Sequence, residues 1–176
     1  MKLLVIFALF FLSACSRIPD STTKSESEVE SPDQVIWNGK IEVVEKGDLQ
    51  SVVNAGKISL FNKRKVTLLD SGVVVDFYNK VGKHTSRLVA DSARVDDMQD
   101  LFVAQGNVVV ASDSGAILRT ERLFWDRARR KVHSDTLVVL TTEYDSLRGY
   151  KFESNADLTT WQLQQPMGQT FRRKSP

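Results

Sequence analysis

The sequence predicts an all-β protein, and three observations carry that reading. Runs rich in Val, Ile, Thr, Phe and Trp recur along the chain with the two-residue alternation of a strand. Turn signals separate them at Asn79-Lys80-Val81-Gly82, Asp96-Asp97, Asp113-Ser114-Gly115 and Asp126-Arg127. Windows longer than about 11 residues do not hold an apolar 3.6-residue period, which leaves helix a minor component at most.

The chain opens on a different kind of segment. Met1-Lys2 gives a short positive start, and Leu3 to Leu12 is a nearly unbroken apolar run. Its length suits a signal-peptide core and falls short of the roughly 20 residues that span a bilayer. Leu12-Ser13-Ala14-Cys15 follows, with small residues directly before the single Cys of the chain. That arrangement resembles a bacterial lipobox. It implies that residues 1–14 are a signal peptide and that the Cys15 thiol carries the lipid anchor. One Cys also excludes an internal disulfide.

Ser16 to Gln34 has no apolar periodicity and holds five Ser, two Pro and five acidic residues against Arg17 and Lys24. Such a composition does not repay the entropy of ordering, so residues 15–34 read as the lipidated Cys and a flexible tether. The folded domain is expected over 35–165, with a basic tail at 166–176. The roughly 160 residues after the signal suffice for a real core. The net charge of +2 is too small to point to nucleic acid.

Strands are expected at Val35–Trp37 and Ile41–Val44, around a turn at Asn38-Gly39. Val66–Leu69 leads through Asp70-Ser71-Gly72 into Val73–Tyr78. Further strands are expected at Arg87–Val95, Leu101–Ala111, Ile117–Trp125, Lys131–Thr142 and Tyr150–Leu163. The units repeat. At an offset of 30 residues Leu88 meets Leu118, Val95 meets Trp125, and Val108-Val109-Val110 meets Val138-Val139-Leu140. An earlier copy at an offset of 35 places Ala55 on Ala90 and Val73-Val74-Val75 on Val108-Val109-Val110. One such hairpin cannot bury its apolar face alone, so the units must share a sheet stack or barrel.

The unit Ala90-Asp91-Ser92-Ala93, then Gly106-Asn107-Val108-Val109-Val110, is similar to the OstA-like repeat of lipopolysaccharide-transport proteins. The pieces that follow run Leu118 to Trp125, Val132 to Leu140 and Gly149 to Leu158, and their order resembles the LptC family in particular. The resemblance covers residues 35–163. It implies a twisted, boat-like β-jelly roll of antiparallel strands, open along one side, with lipopolysaccharide acyl chains held between apolar walls. It also implies a periplasmic place between the permeases of an inner-membrane ABC transporter and a periplasmic β-jelly-roll bridge, joined by strand-edge pairing. Many members carry an N-terminal transmembrane helix where this chain has a lipobox. The family favours the inner membrane, while Ser16 after the Cys would suit outer-membrane sorting.

Strand alternation assigns the walls. Taking Val108 and Val110 as one face puts Val109 on the other, and the same phase selects Val73, Val75 and Phe77, then Val138 and Leu140. These seven are the candidate lipid-binding cleft; a plain sandwich core would need the same residues. Arg122, Arg127, Arg129, Arg130 and Lys131 form a basic run that suits lipid phosphates or an anionic membrane surface, or a charge-protected edge. The matching hairpin in the preceding unit is acidic (Asp91, Asp96, Asp97, Asp100), which suits attraction either between the two hairpins or to neighbouring molecules. Asp96, Asp97 and Asp100 lack the spacing of a calcium loop, and His84 and His133 stand in no metal or catalytic motif. No metal, cofactor or catalytic residue is therefore expected. A filled structural lipoprotein and a secreted hydrolase are the rival readings.

Overall fold

A computed structural model describes residues 30–170. The expected signal peptide, Cys15, most of the tether and the last six residues lie outside the described residues. Among the described residues eleven strands form one antiparallel sheet: β1 (Gln34–Glu45), β2 (Asp48–Phe61), β3 (Val66–Tyr78), β4 (His84–Ala90), β5 (Ser92–Asp96), β6 (Leu101–Ser112), β7 (Ile117–Asp126), β8 (Lys131–Ser134), β9 (Val138–Thr141), β10 (Asp145–Asn155) and β11 (Trp161–Thr170). Neighbouring positions in the sheet follow the order of the chain. β4 and β5 are two pieces of one position between β3 and β6, and β8 and β9 share the position between β7 and β10. Among the described residues no helix is long and apolar enough to cross a membrane.

The sheet is creased. Every strand position carries an irregularity near its middle, and these line up across the pairing. The line runs through Asn38, Gly56, Ser71-Gly72, Asp91, Gly106-Asn107, Glu121, Asp135–Leu137, Lys151 and Gln165. Left-handed backbone recurs along it: φ is +50° at Asn38, +62° at Ser71, +76° at Gly106 and +54° at Lys151. Gly106 is needed twice over, because its φ is left-handed and a Cβ there would run into the Asp91 side chain. Asp91 ties three strand positions together at the crease. Its N–H donates to Gly106 O at 3.0 Å, its C=O accepts from Gly72 N at 3.1 Å, and its carboxylate accepts from Asn107 Nδ2 at 2.8 Å. The repeating Ala-Asp-x-Ala and Gly-x-Val-x-Val pieces are thus the two sides of a fold line.

The crease divides the sheet into two arms. The first arm holds residues 34–37, 57–70, 92–105, 122–134 and 152–164, and the second holds 39–55, 73–90, 108–120 and 138–149. Their apolar faces close on each other. Phe77 of the second arm meets Trp125 of the first edge-on, with centroids 4.9 Å apart. Ile58, Leu69, Leu123 and Phe152 from one arm and Val73, Val108, Leu118 and Val138 from the other are almost fully buried in one core. This is the all-β architecture that the alternation predicts and the jelly roll that the family resemblance implies.

Several expected boundaries move, each for a physical reason. Asn38-Gly39 and Asp70-Ser71-Gly72 are not turns but crease residues inside β1 and β3. β2 is not among the expected strands, because Asn54, Gly56 and Lys57 interrupt its apolar alternation at the crease. The stretches Arg87–Val95 and Lys131–Thr142 are each two strands, broken at Asp91 and at 135–137. Tyr150–Leu163 spans the turn between β10 and β11, and β11 continues to Thr170.

Candidate functional site

Val73, Val75, Phe77, Val108, Val110, Val138 and Leu140 all lie on the inward face of the second arm and are buried. Val109 points away from them, opposite exposed Arg119 and Val89. The space between the arms is not an open groove at these positions. It amounts to about 10 Å³, bounded by Phe77, Leu88, Val110, Phe102, Leu123 and Trp125 among others. That is room for about one water. The walls touch because each arm offers a continuous apolar face, and contact removes both from water.

The open space lies at the mouth of the fold, opposite the crease. A cleft of about 480 Å³ separates the β1–β2 hairpin of the second arm (Val43, Val44, Glu45, Gln50) from the turns of the first arm (Asp100, Trp125, Arg127, Ala128, Arg130). Trp125 lines both this cleft and the interior void, so the two spaces share one wall. Val43, Val44 and Trp125 supply apolar surface, and Arg127 and Arg130 stand beside it. Two donors here, Trp125 Nε1 and Arg127 Nε, are buried with no hydrogen-bond partner among the described residues. Alternation alone could not select Trp125, because it sits at the end of β7 and its role depends on which turns face each other.

The five basic residues are not a free patch. Arg122 pairs with Asp135 at 3.0 Å, Arg129 with Asp126 at 2.6 Å, and Lys131 approaches Glu153 at 3.7 Å. Arg127 reaches Asp97 at 3.0 Å and Asp100 at 3.3 Å, the attraction between acidic and basic hairpins that the sequence suggested. Hydrogen bonds from the Arg129 backbone and side chain hold the Asp126 carboxyl below its ordinary pKa. Arg130 is exposed at the cleft rim. Among the described residues no group of three or more His, Cys, Asp or Glu is placed to hold a metal ion.

At the other end of the mouth, the β10–β11 turn bridges the arms. Ser86 Oγ donates to Ala156 O at 3.1 Å and Ser112 Oγ donates to Asp157 O at 2.7 Å. Leu158 of that turn is buried against the core. The mouth is therefore open at the β1–β2 end and shut at the β4–β6 end.

Among curated proteins no relative matches the chain. The family model described as "Lipopolysaccharide-assembly, LptC-related" matches residues 2–167, nearly the whole sequence. The chain belongs to this LptC family, and is a non-enzymatic periplasmic component of lipopolysaccharide export.

Proposed function

We propose that lipopolysaccharide enters at the mouth cleft and threads an acyl chain between the arms, past Trp125, toward Val110, Val108, Val138 and Leu140. The observation that carries this is the shared Trp125 wall, which joins an open amphipathic cleft to a closed apolar interior. The chemistry of the cleft suits a lipid with an anionic head. Apolar surface lies next to Arg130, and the unpartnered donors of Trp125 and Arg127 match phosphate or ester oxygens. An acyl chain of about twelve methylenes exposed to water would cost roughly 10 kcal/mol at about 0.8 kcal/mol each, which is the reason for a covered path. Energy for directed movement comes from the transporter.

The edge strands β1 and β11 are proposed to pair with the transporter's periplasmic permease domains and with the β-jelly-roll bridge protein. Cys15 is proposed as the lipid anchor, with the inner membrane as its site. The test is photo-crosslinking in the full-length chain. A crosslinker at Val110 or Trp125 should capture lipopolysaccharide, and one at Val109 should capture little. Arg130→Glu should weaken capture at Trp125 severalfold, with the loss fading at high salt. Equal capture at 109 and 110 would refute the path.

A further inference from the structure

We infer that the β10–β11 turn, Asn155–Thr160, is a plug: Leu158 occupies part of the acyl-chain path, and the turn withdraws when a lipid chain takes its place. This rests on the interior path proposed above and adds its regulation.

Leu158 is 2% exposed although it sits in a turn. Its backbone is left-handed, with φ +58°, a region that a branched L residue rarely adopts. The chain accepts that strain and directs the side chain inward. There it bounds the small void together with Phe77, Leu88 and Val110 of one arm and Phe102 and Leu123 of the other. An isobutyl group in that position offers the walls the same kind of apolar contact as a short length of acyl chain.

The turn is braced within itself and weakly tied to its surroundings. Asn155 Oδ1 accepts from Thr160 N at 3.0 Å, Asp157 Oδ1 accepts from Thr159 N at 3.1 Å and from its hydroxyl at 2.8 Å, and Thr159 Oγ1 accepts from Asn155 Nδ2 at 2.8 Å. Such a turn moves as one body. Among the described residues the hydrogen bonds that tie it to the other arm are the two from Ser86 and Ser112, both donated by side-chain hydroxyls that water can satisfy once the turn has moved out. β4 and β6 have their ladder partners elsewhere, in β3 and β7 and in each other. Asn155 stays in the β10 ladder opposite Lys131, and residues 156–160 beyond it can swing out without breaking a strand pairing.

The experiment uses the full-length chain with a photo-crosslinker at Val110 and purified lipopolysaccharide below saturation. Amide exchange of residues 156–160 is followed alongside. Ser86→Ala/Ser112→Ala should speed exchange in that turn and raise capture at Val110 severalfold. Leu158→Ala should raise capture further. Because the serine pair leaves the apolar interior intact, it remains decisive if Leu158→Ala does not fold. Faster exchange with unchanged or lower capture would overturn the plug, as would unchanged exchange in the serine variant. An absence of capture at Val110 in every form, the unsubstituted chain included, would instead remove the interior path and the plug with it.

Discussion

Val110→Asp set against Val109→Asp tests the interior most directly. Val110 is 3% exposed and pairs with Leu118 on one side and Leu88 on the other, both buried. The neighbouring space of about 10 Å³ admits at most about one water. A carboxylate there has no room for a hydration shell, and an unpaired buried charge costs several kcal/mol even after relaxation, about 4 kcal/mol as a working figure. That is a large share of the roughly 5–15 kcal/mol that holds a domain together. For a domain of this size it corresponds to a melting temperature lower by about 15 °C. Val109→Asp puts the same carboxylate on the outer face opposite Arg119, where the change should stay within about 0.5 kcal/mol. Thermal unfolding followed by circular dichroism measures both. An open groove would let water surround the charge at 110 and make the substitution mild, so the closed interior predicts the opposite of what a permanent cleft would give. If the two variants melt within about 1 °C of each other, either the strand phase or the closed interior is wrong.

Three further outcomes follow from other parts of the molecule. Gly106→Ala forces a Cβ onto Asp91 at a left-handed residue and should cost about 2–3 kcal/mol, read as a loss of about 10 °C in Tm. The Asp76 carboxyl is held below its ordinary pKa chiefly by a hydrogen bond from Arg87, with His84 also facing it. Because the folded pKa is the lower one, its stabilisation is complete above about pH 5 and is lost as pH falls through about 4 and below; Asp76→Asn should flatten that part of a Tm-against-pH curve. Cys15→Ala should abolish palmitate labelling while the domain still melts cooperatively, and label on the variant would refute the anchor.

The sequence shows the fold class plainly and the crease hardly at all, for one reason. Alternation reports which face of a strand is apolar, and the buried residues keep an inward face on both sides of the bend, Ile58, Leu69 and Leu123 on one arm and Val73, Val108 and Val138 on the other. The bend is written in single residues such as Asp91 and Gly106, whose role is a contact between strands rather than a local pattern. Asn38-Gly39 and Ser71-Gly72 have the chemistry of hairpin turns, and the chain uses the left-handed backbone of Asn38, Ser71 and Gly72 to kink continuous strands instead. The mouth was the least legible feature. Val43, Val44 and Trp125 are distant in sequence, and only the closing of the arms brings them to one cleft.

The crease also reconciles the filled interior with the proposed lipid path. The ladder hydrogen bonds run along each arm and across the crease, and the arms meet through side chains such as Phe77 and Trp125. Parting the arms at the mouth therefore breaks apolar contacts and the two hydroxyl bonds of the β10–β11 turn, while the strand pairing stays whole. An entering acyl chain restores apolar contact on both walls, so the exchange replaces like with like and its net free energy is small beside either contribution alone. A sheet closed by continuous strand pairing would have to break backbone hydrogen bonds to admit the same chain. A sheet folded on a line of glycine, asparagine and aspartate opens by changing which apolar surfaces touch, which suits a carrier that must release its lipid as readily as it accepts it.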